Sequence, residues 1–413
     1  MPYSHFPEDE ASLWYEANFP VSGGIAQLHP GRQTILLLPY IGLDIASLVN
    51  QFQDPILSTT YNLLAVDFWS QGKTVNPTSE RHDCWVDAAS LLKVLARLQI
   101  QQIHVFAGGA LSIGTALRLA LLWPTGIQSL AVLSVHKPVE QWLVDTFKEI
   151  IITLGTAKSL EEIEDIINEL FPYLFYDGLP DDELDFFAAY ITRQYPPSRI
   201  SRFNDMLYDF LTQWLSPLTS EHYSLIRQPV LIISPEDTMT SSREEAEDLK
   251  KLLINSVDPR LKIIDTPGTA SYYTRCSYPK VNQLYTSFLR ELSPRTCYSK
   301  NIPNMQAALR TLAKLTGNTN IQDRDPQKAF SFSCVSAEDV AEEHTTREQL
   351  DMLGQMAVNP VDPAAELPRK FSERHNQNFF GKHRTESNGE WLYAAIDVRV
   401  GQGEHVGSDS GLP

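Results

Sequence analysis

A strand, a glycine pair and a helix follow one another near residue 108 in the pattern of a catalytic turn. An apolar strand that begins at Ile103 runs into Gly108-Gly109, and a helical run then continues to a stop at Pro124. This order of elements presents the side chain at the tip of the turn above the sheet, where a serine can act as a nucleophile. The residue predicted at the tip is Ala110, which has no group that can attack a carbonyl.

A serine two residues further on is a second candidate nucleophile. The run Ala110-Leu111-Ser112-Ile113-Gly114 matches the pattern small-x-Ser-x-Gly, displaced by two positions. Ser112 would lie in the first helical turn, about 200° around the axis from the tip. A serine at such a place more often hydrogen-bonds the helix N-terminus. If Ser112 is the nucleophile, we expect His136 to be its base and Asp237 the acid that orients the base.

Strands and helices that could position these residues alternate up to about residue 290. The predicted strands are short and apolar, and they cover residues 34–38, 61–67, 103–107, 129–135, 229–234 and 261–265. Strands separated by helices are joined by right-handed crossovers. The sequence therefore predicts an α/β fold with a mostly parallel sheet that helices cover on both faces.

The chain has no strand character between the fourth and fifth predicted strands. Residues 138–224 instead contain helical runs rich in Phe, Tyr and Trp. We interpret them as a helical cap over the carboxyl edge of the sheet. Most of the aromatic side chains are expected to pack between cap and core, and a few are expected to line a pocket that favours an apolar ligand.

The composition changes after Pro294. Residues 295–413 have few apolar runs and many polar and charged residues, and residues 359–388 are rich in Pro, Arg, Lys, Asn and Glu. This composition predicts a polar, flexible and largely disordered extension. Residues 305–315 could form one amphipathic helix within it, and the sequence leaves open whether the extension docks on the core.

Five segments in the right order and spacing resemble the α/β-hydrolase superfamily over residues 20–292. They correspond to an oxyanion-loop strand, a turn after the next strand, the glycine-pair turn, an acid-bearing strand and a histidine loop. In that order they are residues 36–42, 66–74, 106–110, 229–238 and 267–271. The resemblance implies the α/β-hydrolase fold, a mostly parallel sheet flanked by helices with a helical cap and a C-terminal tail. Residues 81–89 are also similar to a divergent group in filamentous fungi.

The resemblance also implies a Ser-His-Asp triad, and all three of its positions are altered. The nucleophile position holds Ala110, the histidine position holds Ser271, and the acid position holds Thr238. Loss of any one member removes most of the rate of such an enzyme. The oxyanion loop is changed too, since Pro39-Tyr40 replaces the usual His-Gly.

A ligand pocket is expected around the turn and the histidine loop. Its predicted lining residues come from separate segments of the chain. They are Tyr40, Ile41, Gly109, Ala110, Leu111, Ser271 and Tyr272.

Charge and cysteine content restrict the partners. The formal net charge of −17 argues against nucleic acid and against an anionic membrane surface. The four cysteines are widely spaced, so neither a zinc site nor a disulfide framework is predicted, and we expect no cofactor. No run of 18 apolar residues occurs and the first ten residues lack an apolar segment, so a cytoplasmic protein without a signal peptide is expected.

Three functions are compatible with these features. The first is an enzyme of cyclase or lyase type that acts on a small apolar metabolite without a recognisable triad, in fungal specialised (secondary) metabolism. The second is a pseudoenzyme that binds a ligand or a protein without catalysis. The third is an ester or thioester hydrolase with Ser112 as a relocated nucleophile. Fold alone does not choose among them, and the oligomeric state stays open.

Overall fold

An eight-stranded sheet forms the centre of the protein. The computed structural model describes residues 2–136, 141–156, 216–236, 241–264, 277–292 and 302–356, with residues 166, 190, 191, 194, 195, 202, 206 and 207. The strands of the sheet are β1 (Tyr3–Phe6), β2 (Ala11–Ala17), β3 (Thr34–Leu38), β4 (Asn62–Val66), β5 (Ile103–Gly108), β6 (Ile127–Leu133), β7 (Val230–Pro235) and β8 (Pro259–Ile264).

The strand order across the sheet is β1-β2-β4-β3-β5-β6-β7-β8. Six neighbouring strands are parallel, as the alternation of strands and helices predicted. In sheet order they are β4, β3, β5, β6, β7 and β8. β1 and β2 are antiparallel and extend the sheet at one side. They were not predicted, and the domain was expected to begin at residue 20. In β2 buried and partly exposed residues alternate, whereas β3 and β4 are buried throughout because layers cover both of their faces.

Helices lie on both faces of the sheet. Their bounds in the described residues are α1 (Val49–Phe52), α2 (Pro55–Thr60), α3 (Cys84–Arg97), α4 (Ala110–Leu122), α5 (Gln141–Thr156), α6 (Ser220–Ser224), α7 (Arg243–Leu252), α8 (Tyr278–Glu291), α9 (Met305–Thr316) and α10 (Ala337–Met356). On one face α3, α4 and α9 pack against side chains such as Leu36 and Leu64. On the other, α2 and α8 pack against side chains such as Leu37 and Phe106. None of the helices in the described ranges is both long and apolar enough to cross a bilayer.

Residues 302–356 of the C-terminal extension pack on the domain, which answers for this segment the question of docking that the sequence leaves open. Asn304 caps α9 by accepting a hydrogen bond from the backbone N–H of Ala307. Leu309 and Leu312 of α9 and Phe332 are fully buried against the layer formed by α3 and α4. A few apolar side chains at the right spacing are therefore enough to dock a polar segment. Residues 357–413 lie outside the described residues.

A buried lysine fastens the extension to the start of the chain. Lys93 of α3 makes ion pairs with Glu8 and with Asp9, and its ammonium also donates to the carbonyl of Gln327. The other carboxylate oxygen of Asp9 accepts from the backbone N–H of Ala329 at 2.8 Å. One lysine and one aspartate thus join the N-terminal strands, α3 and the extension.

Candidate functional site

The loops that follow the parallel strands meet at the carboxyl edge of the sheet, where sites of such folds form. The turn between β5 and α4 lies there, and its strained residue is Gly109, with φ +79° and ψ 168°. Ala110 is the first residue of α4. Neither Gly109 nor Ala110 carries a group that could attack a carbonyl.

The ring of Tyr40 lies directly over the glycine pair. A methyl group on Gly108 would be 2.3 Å from Cε2 of Tyr40, and one on Gly109 would be 2.9 Å from Cδ1. Such distances exclude any side chain at either position unless the ring moves. Tyr40 follows β3 and is only 5% exposed. The space directly over the glycine pair is thus occupied by an aromatic ring.

Ser112 holds the loop that carries this ring. It is fully buried, and its hydroxyl donates a hydrogen bond to the backbone carbonyl of Pro39, the residue before Tyr40. The small-x-Ser-x-Gly pattern therefore coincides with a link between α4 and the loop after β3. Within the described residues no hydrogen bond joins Ser112 to His136, the base predicted for it.

His136 lies just beyond β6 at the same edge of the sheet. It forms an isolated antiparallel bridge with Ser241. Burial lowers the pKa of its imidazole to about 4, so the ring is neutral at pH 7. Its Nε2 is buried and makes no hydrogen bond in the described part of the chain. A neutral histidine could accept a proton, but the structure gives it no nucleophile to serve among the residues it describes.

Four residues of the predicted site, Asp237, Thr238, Ser271 and Tyr272, lie outside the described residues. Their neighbour Glu236 is exposed and pairs with Arg243, with 3.2 Å between Oε1 and Nη1. Of the other predicted pocket residues, Leu111 is buried, and Ile41 and Ala110 are partly exposed. A methyl group on Gly42 would lie 3.7 Å from Cε of Met206, which belongs to the segment predicted as a cap.

Two buried aspartates at this edge, Asp44 and Asp67, form a pair that the sequence did not predict. Asp67 follows β4, and its carboxylate accepts the backbone N–H groups of Ile45 and Lys73 at 2.9 and 3.0 Å. Asp44 accepts the N–H of Ala46 at 2.7 Å and a hydrogen bond from the side chain of Tyr190. The sequence predicts a turn-forming role for Asp67. Asp44 carries no motif that would have singled it out.

Burial dominates the chemistry of this pair. It raises the pKa of Asp44 to about 6 and the pKa of Asp67 well above its usual value, and the charge of Asp44 raises the latter further. Both side chains also flank Gly72, where a methyl group would lie 2.1 Å from Oδ2 of Asp67 and 2.7 Å from Cβ of Asp44. The pair stabilises the loops after β3 and β4 by hydrogen bonds to backbone groups, which is a structural role.

No group of three or more His, Cys, Asp or Glu side chains suited to a metal ion occurs among the described residues. The two cysteines that the structure describes, Cys84 and Cys334, are free thiols. Burial raises the pKa of Cys84 to about 11, which makes it unreactive at neutral pH. The arrangement at the sheet edge therefore offers hydrogen bonding and packing, and it presents no activated nucleophile from the described residues.

No protein-family model matches the sequence, and no curated protein matches it either. Solved structures do resemble the fold. They include MGS-M2, an α/β hydrolase from a Medee basin deep-sea metagenome library (TM-score 0.53, 19% identity), which the match covers to 98%. The enol-lactonase of Burkholderia xenovorans LB400 has a TM-score of 0.54 and 15% identity, and the match covers its whole chain. The bromoperoxidase of Bacillus anthracis has a TM-score of 0.54 and 14% identity, and the match covers 99% of its chain. Each match covers 70% of this chain. At such identities the likeness establishes the fold, and the chain has the α/β-hydrolase fold that its motifs predicted.

Proposed function

We propose that this protein is a non-catalytic binding protein built on the α/β-hydrolase fold. The observation that supports the proposal best is the ring of Tyr40 over Gly108-Gly109. In a serine hydrolase the tip of this turn presents the nucleophile into open space. Here neither Gly109 nor Ala110 has an attacking group, and the ring of Tyr40 fills the space over the glycine pair.

The relocated nucleophile finds no support in the geometry. A catalytic serine must face a base on one side and the substrate on the other. Ser112 is fully buried and donates its hydrogen bond to a backbone carbonyl. Its proton is thus engaged in holding the Tyr40 loop.

The ligand class that we propose is a small molecule with an apolar body. This keeps the expectation drawn from the sequence, while the filled turn directs the search for its site away from Gly109. A role in fungal specialised metabolism and a cytoplasmic location also remain predictions.

Turnover of p-nitrophenyl acetate and p-nitrophenyl butyrate tests the proposal. We expect the wild type and Ser112→Ala to give the same slow release of nitrophenol as a non-enzymatic protein of similar size, because neither has an activated nucleophile. Saturable turnover that Ser112→Ala abolishes would overturn the proposal and establish a hydrolase with a relocated serine.

The nucleophile-free cyclase or lyase is a separate alternative, since such enzymes need only well-placed polar groups. It is distinguished by the fate of a bound molecule. If a ligand recovered from the protein after incubation is unchanged in mass and chromatographic behaviour, the binding function stands. Conversion to an isomer or an elimination product would favour the enzyme.

A further inference from the structure

The docked extension lines a cavity to which the strand-to-helix turn contributes no residue. Its volume is about 800 Å³, and its walls come from residues 316–340 of the extension and from Arg81 in the loop before α3. Pockets of roughly 300–1,000 Å³ are typical of sites for small molecules and cofactors. The cavity therefore has the size of a binding site.

Three cations line this cavity without a carboxylate partner. Arg81, Arg324 and Lys328 border it, and none of them makes an ion pair with any side chain of the described residues. The acids next to them in sequence do not border the cavity. Glu80 pairs with His344, and Asp325 accepts from the backbone N–H of Gln327. In a chain of net charge −17, a local surplus of positive charge marks a place that attracts anions.

Arg324 is held in position for such a role. Its Nη1 donates to the carbonyls of Ser331 and Ser333 at 3.0 and 2.8 Å, which fixes the guanidinium against the backbone. A guanidinium has five N–H donors, so the Nε and Nη2 edge remains available to a ligand. A donor fixed before binding loses little conformational entropy when an anion arrives.

The rest of the cavity wall is partly apolar. Ile321, Phe330, Val335 and Val340 contribute to it, and Phe330 is fixed by an edge contact with Trp69 at 4.8 Å between ring centroids. The polar contribution comes from side chains such as Asn318 and Ser336. A ligand that fills this space must combine an anionic group with an apolar portion.

We propose that this cavity binds a small amphipathic anion, a molecule with an apolar body that carries a phosphate or carboxylate group. The anionic group pairs with Arg324, with Arg81 and Lys328 completing the positive rim, and the apolar body packs on Phe330 and Val340. This assignment rests on the proposed binding function and gives it a site and a ligand class.

Isothermal titration calorimetry of the full chain with octyl phosphate tests the assignment. Octanoate tests the carboxylate form of the head group, octan-1-ol lacks the charge, and inorganic phosphate lacks the apolar body. We expect octyl phosphate or octanoate to bind, and both octan-1-ol and inorganic phosphate to bind at least about tenfold more weakly, because each lacks one of the two contacts.

Substitutions locate the site. Arg324→Gln should weaken binding about tenfold, since it removes a charge-assisted hydrogen bond. The double variant Arg81→Gln/Lys328→Gln should weaken it about fivefold through two exposed charges, and it leaves every side-chain hydrogen bond that Arg324 makes intact. The matched control is Arg310→Gln, an exposed arginine of α9 that does not border the cavity and should bind as the wild type does.

Several outcomes would overturn the assignment. They are absence of binding of both octyl phosphate and octanoate to the wild type, equal binding of octan-1-ol, equal binding of inorganic phosphate, or unchanged binding by the double variant. Loss of binding in Arg310→Gln equal to that in the double variant would do so as well. The titration is independent of ester turnover. Turnover would overturn the proposed function, whereas a failed titration without turnover would overturn only the cavity assignment.

Discussion

The strand-to-helix turn at Gly108-Gly109 and the cavity lined by the C-terminal extension differ in the space and the polar groups that they leave available to a ligand. At the turn, the ring of Tyr40 fills the space and the hydroxyl of Ser112 is bonded to a backbone carbonyl. At the cavity, about 800 Å³ is open and three cations have no carboxylate partner among the described residues. On our proposal, the turn keeps the strand-to-helix backbone of a hydrolase while the ligand-binding groups lie elsewhere.

The largest effect is expected from Lys93→Met, which removes the buried cation between Glu8, Asp9 and the carbonyl of Gln327. It leaves the carboxylate of Asp9 buried without its partner. The free energy of unfolding in urea should fall by about 3–5 kcal/mol. Limited proteolysis should show earlier cleavage within residues 318–336, because the extension loses its anchor.

The control for this variant is Lys314→Met, an exposed lysine on α9. It should unfold and resist protease as the wild type does. If Lys93→Met matched the wild type in both measurements, the extension would not depend on the buried lysine, and the cavity would need another explanation for its walls.

Asp44→Asn should change how stability depends on pH. The pKa of Asp44 is raised from 3.8 to about 6 by burial, so on raising the pH the unfolded chain releases this proton first. The wild type should therefore lose stability between about pH 4 and pH 6, by roughly 2–3 kcal/mol at most, and the contribution is fully present only below that window. The asparagine side chain cannot titrate and can still accept the N–H of Ala46.

We expect the profile of this variant to be flatter across that window and its stability at pH 7 to be higher than that of the wild type. Thermal unfolding followed by circular dichroism from about pH 4 to pH 7 measures both. Parallel profiles for the two proteins would contradict the assignment of the slope to Asp44.

Gly108→Ala tests the position of the tyrosine ring. The added methyl would lie 2.3 Å from Cε2 of Tyr40, so the ring must shift, at a cost of about 2 kcal/mol. In a Tyr40→Ala background the same substitution should cost almost nothing. Urea unfolding of the four proteins gives the coupling energy. Additive effects would mean that the ring does not occupy the space over the turn.

Ser112→Ala is expected to have the smallest effect. It removes the donor to the carbonyl of Pro39 and should lower the free energy of unfolding by about 1 kcal/mol. Thr59→Ala, at an exposed position of α2, is the control and should change little. A Ser112→Ala protein as stable as the wild type would remove the structural role that we assign to this serine.

Apolar runs were enough to predict the parallel part of the sheet, because strands buried on both faces are continuously apolar. β1 and β2 were not predicted, because their buried and exposed residues alternate and an acidic segment, residues 8–10, separates them. The docking of residues 302–356 depends on a few buried side chains such as Leu312, and on Lys93, which lies far away in sequence. The average composition of a segment does not show such individual contacts.

The turn illustrates a different limit of the sequence. The glycine pair and the alanine at position 110 were evident from the sequence, but the positive φ of Gly109 was not. The contact between Tyr40 and the glycines, and the one between Ser112 and Pro39, join segments that no local pattern relates. Only the arrangement of the strands brings them together.

The absence of an activated serine is tested most directly by labelling the folded wild type with a fluorophosphonate and locating any adduct by peptide mass spectrometry. Fluorophosphonates react with activated serines, so a non-catalytic turn predicts no adduct on Ser112 or on any other serine of the chain. An adduct on Ser112 that forms in the folded protein and is lost after denaturation would contradict the proposal. That result would mean that Ser112 is accessible and activated, and that this turn is a working nucleophile site.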